Sequence, residues 1–222
     1  MTEKHVETNE ALVKVQGFWE KFQKPILIVV TVIVVAVGGW YAYDNYIVKP
    51  KEEKAADAMF RAQQYFSADS SNLVLNGDGQ SRGVLYVINN FSGTKEANLA
   101  KYYAGVSYLK LGDFNNAVKY LKDFSTDAKQ IQLMALGCLG DAYSELNKKE
   151  EAIASYKKAA ASFDRDDQNS SEYLFRAALL AETTGNTAQA LDLYKELKDK
   201  FPRTEKGFQA DKYIYRLSIE KN

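Results

Sequence analysis

The chain has little of the chemistry that most catalytic and metal sites need, because it contains one cysteine and one histidine. Cys138 has no partner for an intrachain disulfide, and its small, apolar neighbours are typical of a packed thiol rather than a reactive one. The histidine, His5, lies outside any plausible folded domain, which excludes a His/Cys zinc site or a Ser-His-Asp triad inside the fold. No motif indicates catalysis by carboxylates alone or by Tyr and Lys side chains. We therefore expect a protein that is not an enzyme and that has no cofactor or metal.

The sequence also lacks an excess of charge of either sign. Lys plus Arg and Asp plus Glu both number 29, and no basic block occurs. Nucleic-acid-binding proteins need a basic surface that displaces counterions, so this class is excluded. Proline is scarce, with three residues in 222, while Ala, Leu, Lys, Glu and Tyr are abundant. This composition favours helices.

One run has no charge at all: residues 25–43, PILIVVTVIVVAVGGWYAY. As a helix of 19 residues the run rises about 28 Å, which matches a hydrocarbon core of about 30 Å. Aromatic side chains prefer the headgroup zone and lie on both sides of the run. They are Phe18, Trp19 and Phe22 before it, and Trp40, Tyr41, Tyr43 and Tyr46 at or after its end. The pattern predicts a single-pass transmembrane helix with aromatic residues at both membrane interfaces.

Two other interpretations of this run fit less well. A buried strand usually has about 4–8 residues, and a cleaved signal peptide needs a short basic leader and a small-x-small cleavage site. The leader has 24 residues with four acidic ones, and GGWYAYDN is a poor cleavage site. Lysines lie on both sides of the run, so the positive-inside bias is weak. Because long domains translocate largely regardless of charge, we expect a cytoplasmic N-terminus and a C-terminal domain across the membrane.

The rest of the chain contains an internal repeat. A shift of 35 residues superimposes Gly105 on Gly140 and Tyr108 on Tyr143, and a third copy follows 38 residues later. Each copy has an apolar stripe at i, i+3, i+4 and i+7, then a break such as LGDF, LNKK or TGNT, then a second stripe. This periodicity predicts a helix–turn–helix unit.

Small and bulky residues recur at fixed places in each unit. The breaks contain Gly112, Asn147 and Gly185, which suit the left-handed position that ends a helix. Small residues mark the places where two helices approach closely, and bulky ones fill the gaps beside them. The small residues are Gly105, Gly140, Ala178, Ala117, Ala152 and Ala190, and the bulky ones are Tyr108, Tyr143, Leu121, Tyr156 and Tyr194.

This pattern resembles the tetratricopeptide repeat family, whose motif runs W-x2-L-G-x2-Y, then G-x-[YF]-x2-A, then [FY]-x2-A, then P. The chain departs from it in lacking the tryptophan and in having Ala178 for glycine and Ala181 for tyrosine. The residues that carry the resemblance are Gly105, Tyr108, Gly112, Phe114, Ala117 and Leu121; Leu139, Gly140, Tyr143, Ala152, Tyr156 and Ala159; and Gly185, Ala190, Tyr194 and Pro202.

The resemblance implies an all-α fold of the tetratricopeptide-type α-solenoid, preceded by the transmembrane helix. We expect about three full repeats, one divergent N-terminal unit and a C-terminal capping helix that begins near residue 203. The predicted segments are a cytoplasmic tail (1–24), the transmembrane helix (25–43), a charged spacer (44–54) and the repeat domain (55–222). Within the divergent unit, Leu73, Val74 and Leu75 either pack back on that unit or contact a partner. Around Asp78 we favour a turn over a calcium loop, because no later acidic residue completes the ligand pattern.

In this family the first helices of the pairs line a concave groove that binds segments of other proteins. The resemblance places the groove contacts at Leu99, Tyr102, Val106 and Leu109, at Met134, Asp141 and Ser144, and at Glu172, Phe175, Leu179 and Glu182. The alternative, that several of these residues pack on a neighbouring helix, stays open. There is no cluster of Lys, Arg and Asn that would hold a C-terminal carboxylate. We therefore expect a mixed, apolar groove that suits unfolded or loosely structured chains.

The layout of the whole chain resembles the YfgM-like family of bacterial inner-membrane proteins, which are ancillary subunits at the SecYEG translocon. This resemblance implies a repeat domain in the periplasm with a chaperone function. The implied partners are the Sec translocon, a membrane-anchored periplasmic chaperone and exported polypeptides. Two other functions stay open: a scaffold in outer-membrane or envelope assembly, and a cytoplasm-facing adaptor if the topology is inverted.

Overall fold

The structure is a computed structural model that describes residues 3–163 and 165–220. The outermost residues of the predicted tail and repeat domain, 1–2 and 221–222, lie outside the described residues. The described part of the chain forms eleven α-helices and one π-helical turn, without a β-strand, which confirms the predicted all-α class. The chain divides into two units, of which the first ends at Lys51 and the second begins at Glu52.

The first unit contains the apolar run. Helix α1 (Glu3–Tyr43) includes all of residues 25–43, and the π-helical turn Asp44–Val48 follows it. The helical segment Val15–Ser67, 53 residues long, contains a stretch long and apolar enough to cross a membrane, and no part of that stretch is buried. The predicted interface aromatics Phe18, Trp19, Phe22, Trp40, Tyr41 and Tyr43 are all exposed. Residues 44–54, predicted as a charged spacer, are helical as well.

The second unit is a succession of helix pairs. The divergent first repeat consists of α2 (Lys49–Ser67), nearly all of which lies in this unit, with the short helices α3 (Ser71–Asn76) and α4 (Val84–Asn90). The later pairs are α5 (Lys95–Lys110) with α6 (Phe114–Lys122), α7 (Lys129–Glu145) with α8 (Lys149–Ser162), and α9 (Asp167–Thr183) with α10 (Thr187–Lys200). A last helix, α11 (Glu205–Glu220), packs on α9 and α10. This is the predicted solenoid with its capping helix.

Backbone conformation separates the two helices of each pair. Gly112, Asn147 and Gly185 have φ values of +78°, +58° and +79°, the left-handed conformation predicted for them. In two of the three breaks, the residue that precedes the next helix is an N-cap. The side chains of Asp113 and Asn186 each accept a hydrogen bond from the backbone N–H of the residue three positions later. Such N-caps satisfy one of the unpaired amides at a helix start.

Glycine also sets the spacing inside the pairs. A Cβ on Gly105 would lie 2.5 Å from Cγ of Leu121, and a Cβ on Gly140 would lie 2.5 Å from Cδ1 of Tyr156. The predicted close approach of the two helices is therefore confirmed at both positions. The small residues Ala117, Ala152, Ala178 and Ala190 are fully buried.

The stretch between α2 and α4 contains the short helix α3. Val74 and Leu75 are buried in one apolar cluster with residues of α2, α4 and α5, and Leu73 is 36% exposed, so most of the apolar trio packs inside the repeat domain. Asp78 accepts hydrogen bonds from the backbone N–H groups of Gln80 and Ser81. Its carboxylate thus holds a turn, as favoured from the sequence.

Candidate functional site

The predicted groove is built from helices α5, α7, α9 and α11, whose common surface we call the first-helix face. Neighbouring first helices touch directly. The ring of Tyr173 on α9 occupies a notch at Gly137 on α7, where a Cβ would lie 2.1 Å from Cζ of the ring. Further along, the rings of Phe175 on α9 and Tyr213 on α11 meet edge to face at 5.3 Å between centroids. Aromatic side chains therefore form much of the floor of this face.

The eleven predicted groove residues differ widely in exposure. Tyr102, Val106 and Phe175 are buried, at 7%, 7% and 8% exposed, so these three side chains pack on neighbouring helices. Met134 and Leu179 are each 39% exposed and present apolar surface to solvent. The other six, which are partly buried, are Leu99, Leu109, Asp141, Ser144, Glu172 and Glu182.

An ion-pair network joins three successive first helices. Arg176 on α9 donates from Nη1 to Oδ1 of Asp141 on α7 and from Nε to Oε1 of Glu172, both at 2.9 Å. Nζ of Lys206 on α11 lies 3.5 Å from the other oxygen of Glu172. Burial works against these charges, but the hydrogen bond from Arg176 and the charge of Lys206 outweigh it and lower the pKa of Glu172. The network is partly open to water, so each pair contributes modestly to stability.

The third acidic groove residue, Glu182, is paired as well. One of its carboxylate oxygens accepts a hydrogen bond from the guanidinium of Arg216 on α11, and the other accepts one from the hydroxyl of Tyr194 at 2.9 Å. Burial, together with this bond to Glu182, raises the pKa of Tyr194. All three predicted groove carboxylates therefore have partners within the protein, and none of them is left to attract a basic tail.

The basic partners also lie over the aromatic floor, at distances where a cation is attracted to the ring. The distances to the ring centroids are 5.5 Å for Arg176 over Tyr173, 4.5 Å for Lys206 over Phe175 and 5.2 Å for Arg216 over Tyr213. Each cation thus joins an acid to a ring, and the α9–α11 part of the face is held by its own charges.

The face changes character along its length. On α5 the four predicted contact positions are all apolar: Leu99, Tyr102, Val106 and Leu109. On α9 the corresponding positions begin and end with a glutamate, and Leu179 lies between them. The apolar surface of the α5–α7 part is therefore confined to Met134, which is exposed, and to the partly buried Leu99 and Leu109, and the α9–α11 part is charge-paired except at Leu179.

Sequence reasoning missed Arg176, Lys206 and Arg216. Arg176 had a detectable signal, because it follows Glu172 by four residues on one predicted helix, a spacing at which opposite charges meet. The partners of Lys206 and Arg216 lie on α9, and no local spacing connects them. The part of the chain that the structure describes contains no group of His, Cys, Asp and Glu side chains placed to hold a metal ion. Burial raises the pKa of the Cys138 thiol to about 11, and the nearby Asp141 charge adds to the effect.

The stacked helix pairs and the first-helix face define a helical-repeat protein. The sequence profile of the tetratricopeptide repeat-like domain matches residues 16–139, and the profile of the tetratricopeptide repeat matches residues 139–203. The first match covers more than half of the chain, and the chain belongs to this family. A search of curated proteins finds no match. The first match begins before the apolar run, so the region that fits the family includes the candidate span together with the first repeat units.

Proposed function

We propose that the chain is a membrane-anchored scaffold whose first-helix face binds apolar segments of other proteins. The observation that carries the proposal is the charge pairing on this face. The carboxylates Asp141, Glu172 and Glu182 are occupied by basic partners within the chain, while Met134 and Leu179 are each 39% exposed. Tetratricopeptide repeats are protein-interaction modules, and such a surface favours apolar, loosely structured segments over charged tails.

The apolar run supports the membrane anchor. Its 19 residues match the hydrocarbon thickness of a bilayer, they lie within one helix, and their side chains have no protein core around them in the part of the chain that the structure describes. A helix satisfies all its backbone hydrogen bonds internally, which is what a lipid environment demands. In this proposal lipid covers the run.

The resemblance of the layout to YfgM-like proteins supports a specific place for this scaffold. In the proposal the membrane is the bacterial inner membrane, the N-terminus is cytoplasmic and the repeat domain is periplasmic. There it serves as a chaperone or ancillary subunit beside the Sec translocon, binding exported polypeptides and a membrane-anchored periplasmic chaperone. A compartment reporter fused after Asn222 tests this orientation: activity on the cytoplasmic side would overturn the periplasmic assignment.

Photocrosslinking tests the binding surface. A photoreactive amino acid replaces Met134 or Leu179 in the full-length chain, and the matched control carries it at Lys195, an exposed residue on the second helix α10. The expected result is adducts with exported polypeptides or translocon subunits from the first two positions and few from Lys195. Equal adducts from all three positions would refute binding on the first-helix face. Adducts with β-barrel assembly factors instead would replace the translocon role by envelope assembly.

A further inference from the structure

Helix α11 carries an apolar stripe that points away from the rest of the second unit. Phe208 and Tyr215, at 82% and 72% exposed, are the most exposed large apolar side chains in the described part of that unit, and Ile219 is 54% exposed. With 3.6 residues per turn, these three residues and Lys212 fall within an arc of about 60°. We call these four residues the α11 stripe. The buried residues of the helix, such as Leu217, lie on its opposite side.

The α11 stripe is distinct from the first-helix face. The residues that α11 contributes to that face are Lys206, Tyr213 and Arg216, and they are occupied by contacts with α9. The stripe makes none of these contacts. An apolar stripe of this kind on a single helix face is a common element of protein interfaces. The order of residues along the stripe indicates which partner it fits.

The stripe is complementary to itself when two copies run in opposite directions. In order it reads Phe208, Lys212, Tyr215, Ile219. In the antiparallel register centred between residues 213 and 214, Phe208 of each copy faces Ile219 of the other, and each Lys212 faces a Tyr215 ring. This register gives two apolar pairs and two cation–π pairs, and cation–π pairs contribute favourably at exposed sites. A parallel register instead places Lys212 against Lys212, which is repulsive.

We propose that the α11 stripe is a self-association surface, through which two copies of the chain pair by antiparallel packing of their α11 helices. Two aromatic rings and one isoleucine per copy bury on the order of 800 Å² in total across both copies, which is below the roughly 1,200 Å² of a standard stable interface. The pairing is therefore weak and reversible in dilute solution. If the chain is anchored as proposed above, confinement to one membrane raises the effective concentration of copies; the pairing itself does not depend on the anchor.

Cysteine crosslinking in intact cells tests both the pairing and its register. Two copies of the full chain carry different tags, and Cys138 is replaced by alanine in both. One copy carries Phe208→Cys and the other Ile219→Cys, and a short bis-maleimide spans the 8–10 Å expected between packed helices. The expected yield of mixed-tag dimer exceeds that of Phe208→Cys with itself by at least about tenfold. A second heterotypic pair, Lys212→Cys with Tyr215→Cys, is also expected to give the mixed-tag dimer, but with little preference over Lys212→Cys with itself, because residues 212 and 215 lie close to the centre of the register.

A disrupting variant and a matched control complete the test. Phe208→Glu is expected to reduce the Lys212→Cys with Tyr215→Cys dimer at least about fivefold. Phe60→Glu, at another exposed phenylalanine (60% exposed) on α2, is expected to leave the yield unchanged. Far-UV circular dichroism confirms that both variants fold. An intrachain Lys198→Cys/Asp211→Cys pair, whose parent side chains are in contact, is the positive control for the reagent. The proposal is overturned if no dimer forms while this control reacts. It is also overturned if Phe208→Cys crosslinks best with itself, or if only a different protein is captured.

Discussion

Replacing Gly140 with alanine tests whether the Tyr156 ring sets the spacing of the α7–α8 pair. The new Cβ would lie 2.5 Å from both Cδ1 and Cε1 of the ring, about 1–1.5 Å inside a normal carbon–carbon contact of about 3.5–4.0 Å. Tyr156 is 5% exposed, so the ring has little room to move. Any shift also strains the 2.7 Å hydrogen bond that its hydroxyl donates to Asp141.

Two opposing effects determine the size of the change. Alanine gains about 1 kcal/mol over glycine in a helix interior. Overpacking a core costs about 1–3 kcal/mol, and weakening a hydrogen bond to a charged acceptor costs part of the about 1.5–3 kcal/mol that such a bond contributes, roughly 1 kcal/mol. The expected net loss for Gly140→Ala is about 2 kcal/mol. With a urea m value of about 2 kcal/mol/M, the unfolding midpoint falls by about 1 M.

The assay is urea unfolding of the full-length chain in detergent, followed by far-UV circular dichroism. The matched background is Tyr156→Ala, which removes the ring and is itself expected to cost about 3 kcal/mol. In that background Gly140→Ala no longer meets the ring, so only the helix propensity remains and the substitution is expected to stabilise by about 1 kcal/mol. If Gly140→Ala costs the same with and without the ring, the reasoning is wrong.

Three further predictions follow from single sites. Glu96→Gln is expected to stabilise the protein by about 1 kcal/mol at pH 7. The hydrogen bond with Glu52, and then burial, raise the pKa of Glu96. The stabilising contribution of Glu96 is therefore present in acid and lost as the pH rises through its folded pKa, where the glutamine variant keeps its stability. Equal differences in urea midpoint between variant and parent at pH 4 and pH 7 would contradict this. Gly112→Ala, at φ +78°, is expected to cost about 1–2 kcal/mol, whereas Asn147→Gly at the equivalent turn should be neutral or slightly stabilising in the same assay. The pKa of Cys138 is raised to about 11, so its thiol should react with iodoacetamide at pH 8 about 100-fold more slowly than a free thiol. A rate near that of the unfolded chain would contradict this prediction.

Local signals allowed much of the fold to be predicted. The left-handed turn at Gly112 and the close approach at Gly105 follow from residue type and period, because the same short-range requirement recurs in each unit. Helix α3 was missed because its six residues, SNLVLN, are too few for a period to show. Its formation depends on burying Val74 and Leu75 against α2, α4 and α5.

The site was less predictable because its contacts join different helices. The burial of Tyr102 and Phe175 depends on how successive units stack, and the family pattern alone left open whether they face a partner or a neighbour. The Tyr173 ring at Gly137 and the pairing of Lys206 with Glu172 connect residues more than 30 positions apart. Neither contact has a signature in helical spacing.

The uneven distribution of charge along the first-helix face gives its two halves different responses to the surroundings. The α9–α11 half is tied by partly hydrated ion pairs, which added salt screens. The α5 half is tied by apolar contacts around Tyr102 and Val106, which salt leaves in place and cooling weakens. High ionic strength should therefore weaken the surface contacts of the α9–α11 half more than those of the α5 half, so that the two ends of one solenoid respond differently to added salt.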